Sequence, residues 1–115
     1  MTQGHVSIYE GISQTADVDA TSSGNTQVVA AVTGRRIRVT SVLATNGGSS
    51  TVSINFQSST TEITATHMLA VNGGGYARDA RPDGFLFQTA VGEALNINLD
   101  ANGTVGCDVT YKEVP

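Results

Sequence analysis

The sequence predicts an all-β domain of two packed sheets with about eight strands. Three observations predict it. Apolar and polar residues alternate over short runs, most cleanly at residues 52–57 and 95–99. Turn residues punctuate these runs about every ten positions, the spacing of a β-sandwich or barrel. No run keeps the period of an amphipathic helix, and a short helix through residues 65–71 is the one helical alternative.

The elements follow in order. Residues 1–25 read as an N-terminal arm, with one short strand on Val6, Ile8 and Ile12. The stretch TADVDATSSGN reads as a loop or extended arm, which either orders against a partner or frays. Residues 26–115 read as the sandwich domain. Residues 27–32 form a first run, stopped by Thr33-Gly34. Residues 36–45 follow, with Ile37, Val39, Ser41 and Leu43 on one face and Arg38, Thr40, Val42 and Ala44 on the other. Asn46-Gly47-Gly48 is a hairpin signal, because Asn and Gly tolerate positive φ. Val52, Ile54 and Phe56 then face inward. Residues 60–66 and 67–71 are weaker strands, and Asn72–Gly75 is a corner. Residues 76–78 and 85–89 flank the turn Arg81-Pro82-Asp83-Gly84. Residues 94–100 and 104–114 make a final pair around Asn102-Gly103. The expected core is Val39, Leu43, Val52, Ile54, Phe56, Phe85, Phe87, Leu95, Ile97, Leu99, Val105, Val109 and Tyr111.

Composition narrows the function classes. Charged residues make up 14% of the 115-residue chain, against roughly 25% in an average soluble domain. Thr, Ser, Asn and Gly supply a polar surface that is cheap to desolvate against a partner. The net charge of -4 and the pI near 4.8 argue against nucleic-acid binding, which needs a concentrated basic surface. No apolar run approaches the roughly 18 residues of a membrane helix. No basic segment followed by an apolar run opens the chain, so a signal peptide is not expected.

Chemistry-bearing patterns are sparse. His5 and His67 have no companion at metal-ligand spacing, and Asp17-Val18-Asp19 alone is far short of a calcium site. No GxSxG elbow occurs. Glu62, Asp79, Asp83 and Glu93 sit where turns and strand ends place solvated carboxylates. Asn72-Gly73-Gly74-Gly75 lacks the Lys and hydroxyl residue of a phosphate loop. Cys107 keeps phase with Val105 and Val109 and reads as a buried small hydrophobe. Tyr76 beside Arg78 is the best candidate for a sugar contact. The reading is a non-enzymatic protein without cofactor or metal.

Two longer runs carry a resemblance. VVAAVTGRRIRVTSVLATNGGSSTVSINFQSSTTEIT and RPDGFLFQTAVGEALNINLDANGTVGCDVTYKEV resemble small tailed-bacteriophage capsid decoration, or cement, proteins. The matching pieces are residues 28–39, 52–58, 81–89 and 92–114, which leaves the leader uncovered. The motifs describe strands and turns and contain no catalytic centre. Arg81 before the proline and Cys107 near the end depart from the pattern, where an uncharged residue and a small residue are usual. The resemblance implies a jelly-roll-like sandwich. It also implies a homotrimer, made in the host cytoplasm and seated on the outer capsid surface, where major capsid protein subunits meet. The expected function is a structural one, stabilising the shell through protein contacts. The alternative is a receptor- or glycan-binding domain of a phage tail or fibre. Interface residues are expected among Val6, Ile8 and Tyr9 of the arm and among Arg35, Arg36, Arg78 and Arg81.

Overall fold

The computed structural model describes residues 11–115. Among them ten strands form: β1 (Gln14–Ala20), β2 (Gly24–Val29), β3 (Arg36–Asn46), β4 (Val52–Ser58), β5 (Thr61–Glu62), β6 (His67–Leu69), β7 (Gly74–Asp79), β8 (Phe87–Gln88), β9 (Leu95–Leu99) and β10 (Val105–Val114). All pair antiparallel, in two sheets. The β1 sheet runs β1-β10-β3-β7, with β8 continuing the β7 edge along β3. The β2 sheet runs β2-β9-β4-β5, with β6 on the same edge of β4. Taking β5 with β6, and β7 with β8, as single broken rails leaves four rails per sheet. Consecutive rails then alternate between the sheets except at the β4–β5 hairpin. That is the arrangement of a jelly roll, so the expected all-β, jelly-roll-like sandwich is what forms.

The alternation seen in the sequence builds the core. Ile54 and Phe56 of β4, Leu95, Ile97 and Leu99 of β9, and Val105, Cys107 and Val109 of β10 are all buried. Each such side chain contributes roughly 1.5–3 kcal/mol by leaving water. Phe56 of one sheet stacks on Phe87 of the other, with ring centroids 4.9 Å apart.

Several expectations are corrected. Leu43 is 43% exposed and Phe85 44% exposed, so neither belongs to the core. For Leu43 the cause is a β-bulge. Tyr111 pairs with Val39 but Thr110 pairs with Ser41, so β3 carries one extra residue at Thr40. The inward set therefore changes from Ile37 and Val39 to Val42, Ala44 and Asn46, and Leu43 turns outward. Phe85 precedes the short β8 and lies against the Arg38 guanidinium, 4.7 Å from ring centre.

The Asn46-Gly47-Gly48 turn is no hairpin, because β3 and β4 lie in different sheets; Asn102-Gly103 likewise joins β9 to β10 across the sandwich. The TADVDATSSGN stretch is not a loop. It contains most of β1 and the start of β2, and the expected boundary at residue 25 falls inside β2. Small inward residues (Ala16, Val18, Ala20) alternate there with outward Asp17 and Asp19. Residues 65–71 hold β6, not a helix. Val6, Ile8 and Tyr9 lie outside the described residues, and Ile12 precedes β1, exposed.

Candidate functional site

The four arginines do not form one patch. Arg36 opens β3 and, like Arg38, alternates with the buried Ile37 and so stands on the outer side of the β1 sheet. Its Nε is enclosed without a hydrogen-bond partner among the described residues. Arg35 sits just before it, in a turn closed by its own N–H donating to the Val32 carbonyl at 3.0 Å. Arg78 is opposite Val42 in the β3–β7 register, so it points to the other side of that sheet. Arg81 opens the exposed turn between β7 and β8, where the Gly84 N–H donates to its carbonyl at 2.8 Å.

Arg78 instead lines a cleft of about 250 Å³ between β6 and β7, where the two sheets part. His67 and Tyr76 face each other across it, ring centroids 4.9 Å apart and tilted by 43°. Thr64, Ile63 and Phe87 complete its wall and floor. Burial pushes the Tyr76 hydroxyl up to about 12, the Cys107 thiol adds to the rise, and Arg78 opposes it. The cleft thus offers neutral hydroxyls, an imidazole and a guanidinium over an apolar floor. Chemically, that set is suited to stacking on a polar ring and donating hydrogen bonds to it. Among the described residues no three His, Cys, Asp or Glu side chains gather as a metal site.

Cys107 lies under this region at 2% exposure. Burial, and secondarily the Asp108 carboxylate, push its thiol from 9.0 up to about 12. The folded chain therefore keeps this proton in a pH range where the unfolded chain releases it. Its contribution to stability is intact below pH 9 and is lost as pH rises toward about 12. Urea midpoints should fall over that interval, and Cys107→Val should make the fall shallower. An identical fall in the variant would contradict this account of the thiol.

The broadest uniform surface is the outer face of the β2 sheet, built almost entirely of amides. Register sets Asn25, Asn98 and Asn55 side by side across three strands, with Asn55 itself buried under Glu62 and Thr66, to which it donates. Gln27, Asn96, Gln57 and Glu62 form the next row. Hydrogen bonds hold these side chains in place. Asn98 Nδ2 donates to Asn25 Oδ1 at 2.8 Å. Gln57 Nε2 donates to Asn55 Oδ1 at 3.1 Å, and Asn55 Nδ2 to Glu62 Oε1 at 2.9 Å. Met68, opposite Ser53, stands 75% exposed at its edge. The sequence signalled this face only through the polar partners of its alternating strands, Asn96, Asn98, Asn55 and Gln57. Asn25 was missed because its segment read as a loop.

Comparison with protein-family models, curated proteins and solved structures finds no match to the chain.

Proposed function

We propose that this protein is a structural virion component that decorates a tailed-bacteriophage capsid through protein–protein contacts. The observation that carries the reading is the amide face of the β2 sheet. It is broad, nearly uncharged and ordered by its own hydrogen bonds. Such a face meets a repeating shell at low desolvation and ordering cost. Met68 provides an apolar anchor at its edge. Many copies of a small domain on a regular lattice need only modest contacts each. The sequence resemblance to cement proteins supplies the partner class, the major capsid protein.

Co-sedimentation with expanded, undecorated capsids tests the reading. The native chain should pellet at saturating, regular stoichiometry. Asn98→Lys places a charge in the middle of the face and should weaken capsid binding roughly tenfold or more while the protein stays folded. Native-level binding by the variant would remove the face from the contact. Deleting residues 1–20 would excise β1, so the arm is tested by deleting residues 1–10. Unchanged occupancy after that deletion would leave the arm without a part in binding.

The cleft favours a second reading, a receptor- or glycan-binding domain of a tail or fibre. Tyr76→Ala should then abolish binding on a glycan screen and leave capsid sedimentation untouched.

A further inference from the structure

The outer face of the β1 sheet sorts its charges by sign along the strands. Asp17 lies directly across from Asp108 in the β1–β10 register. Arg38 lies directly across from Lys112 in the β10–β3 register. Each is a like-charge pair of neighbours, which is unfavourable on a sheet face left to water. Along β10, Asp108 and Lys112 are separated by roughly 13 Å of strand. Thr110 sits midway, flanked by Thr15 and Ser41 in the same register row. The face therefore has an acidic end, a basic end, and between them a hydroxyl row that ends in the exposed Asp79 of β7, opposite Ser41.

Both ends also present apolar surface. At the acidic end Leu43 is 43% exposed. It borders a depression of about 400 Å³, also lined by Asp17, Asp19, Thr45 and Asp108. The depression exists because Gly106, between Asp19 and Thr45, carries no side chain. At the basic end Phe85 is 44% exposed beneath the Arg38 guanidinium.

We propose that this face pairs with the same face of a second copy of the chain. The two-fold axis lies between the faces and crosses the strands at the level of Thr110. It places Lys112 of one copy opposite Asp108 of the other, and the Arg38–Phe85 pair opposite Leu43 and the depression beside it. Every contact then occurs twice, as an isologous interface requires. An axis running along the strands would set basic end on basic end, so the two charged ends select the first arrangement, which brings the Asp79 side chains of the two copies to one level at the β7 edge. With four rails at ~4.8 Å spacing and ten residues at ~3.4 Å rise, the face spans roughly 650 Å². That approaches the ~800 Å² per partner of a standard interface. The inference does not rest on the capsid reading, since that contact uses the opposite sheet.

Analytical ultracentrifugation of the full chain tests it. The native protein should sediment as a dimer that dissociates with added salt, because ion pairs are screened at a Debye length of about 3 Å in 1 M salt. Asp17→Lys/Asp108→Lys reverses the like-charge pair at the acidic end, and Arg38→Glu/Lys112→Glu reverses the one at the basic end. Each double variant alone should be at least roughly tenfold weaker in self-association. Mixed in equal amounts, the two should form a one-to-one heterodimer, because each end of one then meets the opposite charge on the other. Circular dichroism of each variant establishes that it is folded, and the salt dependence of the native chain needs no variant. A native chain that is monomeric or trimeric, a dimer indifferent to salt and to both reversals, or two folded variants that ignore each other would overturn the proposal.

Discussion

Phe56→Ala is expected to lower the free energy of unfolding by about 3–5 kcal/mol. Phe56 is fully buried in β4 at the centre of the β2 sheet. Its ring stacks on Phe87 from the other sheet, at 4.9 Å and 28° between planes. Truncation removes the transfer free energy of the ring and leaves a cavity between sheets. The surrounding strands are tied into their ladders on both sides, since β4 pairs with β9 along one edge and with β5 and β6 along the other. Collapse into the cavity is therefore limited. Urea unfolding followed by circular dichroism measures the loss, and a cost below about 1 kcal/mol would mean that the ring is not a packing centre.

Asn46→Leu, close in volume, is expected to cost about 2–3 kcal/mol despite adding an apolar group to a buried site. Asn46 has no exposed surface. Its Nδ2 donates to the Ser50 carbonyl at 2.8 Å and to the Leu69 carbonyl at 3.2 Å. Its Oδ1 accepts from the Gly48 N–H at 2.9 Å. Through these bonds one side chain at the end of β3 holds the crossing to β4 and ties β6 of the opposite sheet to the same corner. Its backbone carbonyl also accepts from the Gly73 N–H at 2.6 Å, where Asn72 and Gly73 turn with φ of 58° and 104°. Leucine leaves the Leu69 carbonyl without its donor inside the protein. The variant should unfold earlier in urea and expose the 46–48 and 69–73 segments to faster hydrogen exchange. Native-like exchange in both segments would contradict the role of Asn46 as a clamp.

These two residues also mark what the sequence revealed and what it hid. Phe56 was legible because Val52, Ile54 and Phe56 alternate with polar residues over a short run, and period two has one interpretation there. The same holds for β9 and most of β10. Asn46 was legible as a turn residue but not as a buried one. Asn-Gly-Gly signals a change of direction equally well for a hairpin and for a crossing between sheets, and only the sandwich decides which. Leu43 failed for a related reason. A single bulge residue at Thr40 inverts the inside-outside order of everything after it, and nothing in RIRVTSVLAT announces that extra residue. β1 was overlooked because its inward residues, Ala16, Val18 and Ala20, are small and give a weak apolar signal beside two aspartates.

The surfaces were legible in pieces. Asn96, Asn98, Asn55 and Gln57 were visible as outward positions of their own strands, but their union into one amide face depends on register across β2, β9 and β4. The arginine pairs looked equivalent in sequence. In the fold, Arg36 and Arg78 point to opposite sides of the β1 sheet, because each follows the alternation of its own strand.

The most direct test of the central claim is cryo-electron microscopy of expanded, undecorated phage capsids incubated with the purified protein. The account predicts regular added density on the outer shell, with a sandwich whose β2 sheet faces the capsid and with Asn98 and Met68 within the contact. Shells without added density under saturating protein, or density in which no copy turns that amide face to the capsid, would contradict it.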